Sequence, residues 1–387
     1  MTLNQKILDV VILGLVITII AIPLSLISNI IPSNDRLFVF AQQITDTTTT
    51  PSTSTVDGGG RQGQLLERSN STTTATSDNN NNTLPLLPSW NEGDIKQTII
   101  NFVNNLTNPE NPDYYIPPDR RIAVFDNDGT LWSEKPIPFE GYFALDRLEN
   151  LSIANPNLKQ ISPYKEFLQK NTTALKQQLT EKDVVDLITI THSNISQSEF
   201  NNIVTNWSQI AQHPQTQKLF VNMVYQPQLE LIDFLKDNQF KVFIVSGGGI
   251  DFMRQSLSSV YGIPPEQIIG SSGKYEFVDN TTNSFIFQKP ELNSFDNEYE
   301  KPVNVQLHIG KVPVIAVGNS DGDLQMLKYV DDNNNENGKA LMVLIHHDDA
   351  VREYSYDKGA ENVLKEAQYR NWTIVDMKDD FREIYPS

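Results

Sequence analysis

The sequence predicts an α/β protein built on a parallel sheet with helices on both faces. Short apolar runs at residues 122–125, 242–245, 314–317 and 341–345 indicate buried strands. Stretches with helical spacing, such as residues 229–235 and 324–329, alternate with these runs, as in sheets whose strands are joined by crossover helices. Polar motifs follow the runs, so we expect a ligand site beyond the carboxyl ends of the strands.

The first element of the chain is an apolar segment at residues 10–31. No charge appears after its start until Asp35, and it is long enough to cross a hydrocarbon core of about 30 Å. Lys6 precedes the segment, and small residues around Ala41 fit a signal-peptidase site. Residues 1–41 are therefore predicted to be a signal peptide or a membrane anchor, which makes the protein extracytoplasmic, either secreted or anchored to the cell membrane.

A low-complexity stretch follows at residues 42–88. It is dominated by Thr, Ser, Asn, Gln and Gly, which cannot bury a core, so we predict a disordered linker. Helical apolar spacing begins at residues 95–106, and the folded domain is predicted over residues 89–387.

The composition excludes several classes of function. Lys and Arg number 30 against 48 Asp and Glu, and the net charge of −18 argues against a nucleic-acid partner. The absence of cysteine excludes disulfides, thiolate metal sites and cysteine nucleophiles. With five histidines, an oxygen-ligated hard cation suits the chain better than a histidine-rich metal cluster.

A long insertion separates the first two predicted strands. It exceeds a hundred residues, too many for one crossover helix, so we predict a helical cap at about 137–225. Capping boxes at Thr180 with Asp183 and at Ser196 with Glu199 predict two helix starts inside it. A hairpin is predicted further on, from residues 275–278 and 284–288.

The first strand ends in a motif with two carboxylates, Asp126 and Asp128. Side chains two residues apart in extended backbone share a face. A carboxylate can attack phosphorus to form an aspartyl phosphate, and a second carboxyl can protonate the departing alkoxide. Asp126 fits the nucleophile and Asp128 the acid/base; the alternative is a turn with solvated acids. A calcium-binding EF-hand loop is excluded because its sixth position would be Leu131 where glycine is needed.

The second strand ends in Ser246 followed by three glycines, with a helix predicted from about Ile250. Backbone amides in such an unhindered turn can approach an anion, and Ser246 can donate to a phosphoryl oxygen. The alternative is an ordinary strand-to-helix glycine turn.

A positive charge is needed beside the anionic oxygens, and Lys301 and Lys311 precede the third strand. Lys301 heads the helix-like residues 303–309 and can face the sheet edge, whereas Lys311 opens the strand at the opposite end. We therefore prefer Lys301, and the alternative is that it is a solvated surface residue.

The third strand ends in Gly318, Asn319, Ser320, Asp321, Gly322 and Asp323. These side chains again place oxygen ligands at a carboxyl edge, of the type that Mg²⁺ prefers. Asp323 is the first choice for the metal ligand, with Asn319 and Asp321 as alternatives. A solvated Asx turn is the other interpretation of the motif.

The order of FDNDGTLW, VSGGG, a lysine and GNSDGDLQML resembles the four-motif signature of haloacid dehalogenase-like (HAD) hydrolases, most of all their phosphoserine-phosphatase-like branch. The resemblance extends from about Asp119 to the end of the chain. It implies a Rossmann-like core, a helical cap inserted after the first motif, dependence on Mg²⁺ and a phosphoaspartyl intermediate.

The resemblance also implies roles for individual residues. Asp126 is similar to the nucleophile and Asp128 to the acid/base, whose backbone carbonyl also contacts the metal. Ser246 corresponds to the phosphate-binding hydroxyl, Lys301 to the charge-stabilising lysine and Asp323 to the acidic metal residue.

The fourth motif departs from the family pattern at Asn319, where the family usually has an acid directly after the glycine. The metal ligands implied by the resemblance are therefore Asp126, Asp128 and Asp323, with a neutral oxygen from Asn319 or a carboxylate from Asp321 completing them.

Further candidates lie next to the motifs. Thr130 and Gly247 are predicted to contact phosphate, and Glu134 and Lys135 to meet substrate under the cap, with solvated loop charges as the alternative for the last two. The polar residues after the fourth strand either line the site, bind a second ion or simply form a polar strand exit: His346, His347, Asp348 and Asp349. Three large aromatic residues are interpreted as packing: Trp132, Trp207 and Phe220.

The combined prediction is an exported, Mg²⁺-dependent phosphatase that hydrolyses small phosphomonoesters. A second acid in the first motif favours phosphate chemistry over dehalogenation, because a departing alkoxide needs a proton and a halide does not. A phosphotransferase of the same fold and a catalytically inactive, cation-binding surface module are the alternatives. The sequence identifies neither the substrate nor a protein partner.

Overall fold

The computed structural model describes residues 86–169, 180–334 and 338–386 of the chain. The predicted signal peptide or anchor and almost all of the predicted linker lie outside these residues, so both stay predictions. Within the described ranges, none of the helices has both the length and the hydropathy that a membrane crossing requires.

An eight-stranded sheet organises the described part of the chain. The strands are β1 Ile122–Phe125, β2 Ile195–Ser196, β3 Lys241–Gly249, β4 Ile268–Asp279, β5 Ser284–Ser294, β6 Ile315–Gly318, β7 Leu341–His346 and β8 Thr373–Asp376. Their order in the sheet is β2-β5-β4-β3-β1-β6-β7-β8. The six neighbouring strands β4-β3-β1-β6-β7-β8 are all parallel to one another. The predicted α/β fold with a mostly parallel, Rossmann-like sheet is confirmed.

Twelve α-helices accompany the sheet in the described residues. They are α1 Asp94–Thr107, α2 Phe139–Ala154, α3 Tyr164–Leu168, α4 Glu181–His192, α5 Gln197–Ile210, α6 Gln226–Asp237, α7 Ile250–Ser256, α8 Ser258–Tyr261, α9 Glu300–His308, α10 Leu324–Asn334, α11 Glu361–Arg370 and α12 Met377–Asp380. Both faces of the sheet are covered, since alternate residues of β1 enter different cores. Ala123 and Phe125 pack in one apolar cluster and Val124 in the other, as the period-two geometry of a strand requires.

The strand register brings the three polar motifs to one edge of the sheet. Phe125, the last residue of β1, pairs with Ile244 of β3 on one side and with Val317 of β6 on the other. Because these strands are parallel, the residues that follow them emerge together.

The glycines after Ser246 differ from the prediction. They belong to β3 and form no separate turn, and the pairing with β4 shifts so that Ser246 faces Gly270 and Gly249 faces Ser271. The bulge needs a small neighbour, because a Cβ at Gly270 would lie 2.6 Å from the carbonyl oxygen of Gly248. The predicted helix start at Ile250 is confirmed.

Helices α2 to α6 lie in the long segment between β1 and β3, within its described residues. The capping box of Thr180 and Asp183 is present at the start of α4. At the start of α5 the Ser196 hydroxyl accepts from the Glu199 amide, and in the described geometry the reciprocal half of that box does not form.

The hairpin is longer than predicted. β4 begins as a parallel neighbour of β3 and continues from Ser272 as the antiparallel partner of β5. β5 in turn pairs with β2, where Ile195 faces Gln288. The hairpin therefore leaves the core sheet and lies against the helical insertion.

The two ends of the described domain pack together. Trp90 is buried and its ring meets that of Phe381 edge-on, with centroids 4.9 Å apart. The Asn91 amide donates to the Asp380 carbonyl at 2.8 Å, and the Arg382 amide donates to the Ser89 carbonyl at 2.8 Å.

Candidate active site

A buried lysine lies at the centre of the site. Lys301, in the first turn of α9, is 1% exposed, and its ammonium donates to Asp126 Oδ1 at 2.6 Å, Asp323 Oδ1 at 2.6 Å and the Val245 carbonyl at 2.9 Å. Residues from the ends of β1, β3 and β6 thus meet one cation. An ammonium has three hydrogens, so this arrangement uses all of them.

Burial determines the electrostatics of this group. Desolvation raises the pKa of Asp126 and Asp323 raises it further, while Lys301 opposes both effects. Desolvation lowers the pKa of Lys301, but the two carboxylates more than offset this and keep the lysine charged. Two buried carboxylates share one ammonium, so a further cation would relieve an excess of negative charge.

Two side-chain oxygens converge beside this cluster. The Thr130 hydroxyl lies 3.2 Å from Asp126 Oδ2 and 3.2 Å from Asn319 Oδ1. Asn319 can approach because Gly129 has no side chain: a Cβ there would lie 2.0 Å from Asn319 Nδ2. A carboxylate oxygen and an amide oxygen at one buried point suit Mg²⁺.

Asp323 makes hydrogen bonds through both carboxylate oxygens. Its Oδ1 accepts from Lys301, and its Oδ2 accepts from the amides of Asn319 at 2.9 Å and Ser320 at 3.0 Å and from the Ser320 hydroxyl. Both oxygens are thus occupied by protein donors. Asp323 thus fixes the lysine and the loop, and it stays a candidate metal ligand beside Asn319.

The alternative ligand Asp321 makes its contacts elsewhere in the described structure. Its carboxylate caps the start of α11, where Oδ1 accepts from the amides of Asn362 at 2.9 Å and Val363 at 2.7 Å. This carboxylate points out of the group around Lys301, because helix N-termini attract acidic side chains.

Asp128 lies on the other side of the site. Its Oδ1 accepts from Trp132 Nε1 at 2.8 Å, and burial, helped by Glu134 and Glu140, raises its pKa to about 7. A carboxyl group with this pKa can both give and take a proton near neutral pH. Trp132 is buried as the packing interpretation predicted, and it also orients this acid.

Ser246 and Gly247 reach the same edge. Ser246 is buried, and its hydroxyl accepts from the Gly248 amide at 3.1 Å. A Cβ on Gly248 would lie 3.5 Å from both Ser246 Oγ and Asp128 Oδ2, so the serine and the acid flank this glycine.

Glu134 supports the site from its rim. Its Oε1 accepts from Tyr356 OH at 2.6 Å and from Lys135 at 2.9 Å, and lies 3.4 Å from Asn319 Nδ2. Lys135 also stands over the Tyr356 ring at 4.0 Å. Both Glu134 and Lys135 are thus bound to other protein groups. This arrangement suits residues that orient Asn319 better than residues that contact substrate.

The residues after β7 separate into two groups. His347 is buried, with Nε2 2.7 Å from the Gly129 carbonyl and Nδ1 3.3 Å from Glu353 Oε2, so it holds the loop of the first motif. The second group lies at the ends of β7 and β8. Its possible metal-ligand atoms are within 4.8 Å of one another and belong to His346, Asp348 and Asp376; Asp126 is not part of it.

The remaining four residues singled out in the sequence make structural contacts. Asp349 pairs with Arg352. Trp207 stacks on Phe220 with centroids 5.2 Å apart, which confirms that these two rings pack. Lys311 is on the surface beside Asp119, as its position at the start of the strand predicted.

Sequence reasoning missed two acids. Glu140, in the first turn of α2, accepts at Oε2 from the Gly249 amide at 2.7 Å and so joins the insertion to the glycine bulge. Asp296, fully buried near Lys301, has a pKa that burial raises to about 6. Neither acid belongs to a recognisable motif. Their only indication in the sequence is that each lies within a short distance of one of the motifs.

The fold and the site together define an α/β protein: a Rossmann-like sheet with an Asp126-Lys301-Asp323 cluster at its carboxyl edge. No protein-family profile and no curated protein matches this chain. Solved structures with a similar fold include a protein of unknown function from Bordetella pertussis Tohama I, with 14% identity, a TM-score of 0.43, and coverage of 67% of this chain and 99% of that one.

Two further structures are similar. A functionally unknown protein from Anaerococcus prevotii DSM 20548 has 14% identity and a TM-score of 0.46, with 73% of this chain and 91% of that one covered. A phosphoserine phosphohydrolase-like protein from Francisella tularensis has 19% identity and a TM-score of 0.34, with 68% and 95% covered.

Proposed function

We propose that this protein is a metal-dependent phosphatase that hydrolyses small phosphomonoesters through an aspartyl phosphate on Asp126. The observation that carries the proposal is the buried ammonium of Lys301, which Asp126 and Asp323 share. Asp128, two residues after the proposed nucleophile, has a pKa that burial raises to about 7. Paired charges of this kind offset the negative charge that develops on a transferred phosphoryl group.

The proposed reaction has two halves. A carboxylate oxygen of Asp126 bonds to phosphorus as the ester oxygen leaves, and protonated Asp128 gives that oxygen its proton. Asp128, now a carboxylate, takes a proton from water, whose oxygen attacks the phosphorus and releases phosphate and Asp126. Lys301 and Ser246 stabilise the phosphoryl oxygens in both halves.

The donor set fits a hard divalent cation such as Mg²⁺. Asp126 Oδ2 and Asn319 Oδ1 converge on Thr130, and the buried cluster has more carboxylates than cations. These two residues would hold the ion, together with the backbone carbonyl of Asp128 that the motif resemblance implies. When bound, the ion would neutralise charge on the phosphoryl oxygens and on Asp126.

A phosphate-release assay tests the proposal. The full chain should release phosphate from small monoesters with Mg²⁺, lose this activity in EDTA, and lose about 10³-fold or more in kcat as Asp126→Asn. Asp113→Asn is the matched control, since it changes the same residue type at an exposed position outside the site. Activity that survives both chelation and Asp126→Asn would contradict the mechanism, and transfer to added glycerol would indicate a phosphotransferase.

We also propose that the protein acts outside the cytoplasm. The support is the uncharged, largely apolar segment at residues 10–31, which follows Lys6. Fusing residues 1–88 to a reporter enzyme that is active only after export should give activity, and deleting residues 10–31 should abolish it. A fusion that stays in the cytoplasm would refute the proposal.

A further inference from the structure

A cavity of about 160 Å³ lies between the helical insertion and the β4-β5 hairpin. Much of its wall is apolar and comes from α4, α5, α7 and β5: Val185, Ile188, Phe200, Ile250, Phe252 and Leu292. The volume is below the roughly 300 Å³ at which drug-sized ligand sites begin, so it suits a compact organic group.

The cavity adjoins the reaction site. Gly247 and Gly249 belong to its lining, and the glycine between them is flanked by Ser246 Oγ and Asp128 Oδ2. A phosphoryl group at Asp126 would therefore direct its ester oxygen past Asp128 towards this space.

One part of the wall is polar and includes two buried side-chain oxygens that no donor in the described residues satisfies. Glu140 Oε1 lies 3.2 Å from His192 Nε2, yet the two atoms are not aligned for a hydrogen bond. Gln288, 3% exposed, donates to Gln197 and to Asp251 at 2.8 Å, which leaves its Oε1 buried and, among the described residues, without a donor. Buried acceptors in this state indicate a ligand that supplies a donor.

The charges around the cavity disfavour a second anion. Glu140 and Asp251 are carboxylates in its wall. Lys289, a basic residue of the same lining, stands 3.4 Å from Glu276 and is thus already paired. A ligand carboxylate or second phosphate would face these acids, and like charges repel.

We propose that this cavity is the subsite for the alcohol part of the phosphoester. It takes a compact alcohol with an apolar body and one hydrogen-bond donor, either a hydroxyl or an ammonium, and rejects alcohols that carry a second negative charge. The inference rests on the proposed phosphatase function and adds the substrate class to it.

Matched esters test the class. The full chain should hydrolyse 2-amino-3-methylbutyl phosphate with a kcat/KM about a hundredfold above that of its 2-carboxy counterpart, because only the charged group differs. Equal values, or a preference for the carboxylate, would overturn the proposal. Methyl phosphate, which barely enters the cavity, reports on the phosphatase function alone.

A cavity-filling variant tests the location. Ile188→Trp should lower kcat/KM for 2-amino-3-methylbutyl phosphate about tenfold or more and leave methyl phosphate within about threefold. Ile210→Trp, on the exposed side of α5, is the matched control and should change neither value. If Ile188→Trp fails to fold, Ile188→Ala should shift the preference towards a larger ester; unchanged preferences would overturn the location.

A binding measurement separates the two hypotheses. The free alcohol, 2-amino-3-methylbutan-1-ol, should bind the wild-type chain in ligand-observed NMR and should not bind Ile188→Trp. Binding without turnover of any ester, methyl phosphate included, would refute the phosphatase function and retain a ligand site. Turnover of methyl phosphate without binding of this alcohol would refute the subsite alone.

Discussion

At the residue scale, the site depends on how one buried cation is shared. Lys301 joins three strand ends that are far apart in sequence, so its removal would leave Asp126 and Asp323 facing each other in a dehydrated space. Such an arrangement stabilises the folded state only while the lysine is present, since an unpaired buried charge costs far more than the pair contributes.

We expect Lys301→Met to lower the free energy of unfolding by about 3–5 kcal/mol. The lost cation should also reduce kcat by about 10²–10³-fold, because nothing replaces it beside the phosphoryl oxygens. Lys311→Met removes a lysine that is half exposed and should change stability by less than about 0.5 kcal/mol. Urea unfolding and phosphate release measure the two effects, and equal behaviour of the two variants would contradict the role of Lys301.

Asp296 predicts a pH dependence of stability. Burial raises its pKa to about 6 in the folded chain from an ordinary value of 3.8, so the folded state holds the proton more tightly. Its contribution to stability is complete below pH 4 and is lost as the pH rises through 6.

Asp296→Asn should therefore be more stable than the wild type at pH 8, by up to about 3 kcal/mol, and the difference should shrink towards pH 4. Asp113→Asn, at an exposed position, is the control for the substitution. Denaturation midpoints across this pH range give the comparison, and a difference that grows towards low pH would show the opposite sign.

At the element scale, the residues that follow the strands could be placed from the sequence, whereas contacts with elements far along the chain could not. Asp126, Asp128 and Ser246 directly follow apolar runs, so strand geometry alone brings them together. The contact of Asp321 with the start of α11 could not be predicted, because that helix lies about forty residues further along the chain. The role of Glu140 could not be predicted either. Its carboxylate accepts from the backbone amide of Gly249, and a backbone contact leaves no pattern of side chains in the sequence.

The loop after β1 predicts a specific effect of glycine substitution. Gly129 has φ +79°, and a Cβ there would collide with Asn319. Gly310 has φ +68° with open space around it, so Gly310→Ala reports the backbone strain alone.

Both alanine variants should lose about 1 kcal/mol of stability from the positive φ. Gly129→Ala alone should also lose most phosphatase activity and require a higher Mg²⁺ concentration, because Asn319 is displaced. Titrating activity with Mg²⁺ distinguishes the two variants. An unchanged Mg²⁺ requirement in Gly129→Ala would argue against Asn319 as a ligand.

At the scale of the whole molecule, charge and chain ends matter most. The net charge of −18 repels anionic substrates, so productive binding depends on the local cations at the sheet edge. The ends of the described domain meet at Trp90 and Phe381, far along the chain from the Lys301 cluster. This contact fixes where the folded unit begins.

We expect residues 86–387 to match the full chain in denaturation midpoint and in phosphate release, and residues 94–387 to be markedly less stable. The shorter chain loses Trp90, whose indole donates to the Pro227 carbonyl at 2.9 Å and packs on Phe381. Trp90→Ala in the longer chain should cost about 3–5 kcal/mol, whereas Tyr114→Ala, 41% exposed, should cost much less. If residues 94–387 unfolded at the same urea concentration as residues 86–387, the domain would begin after Trp90.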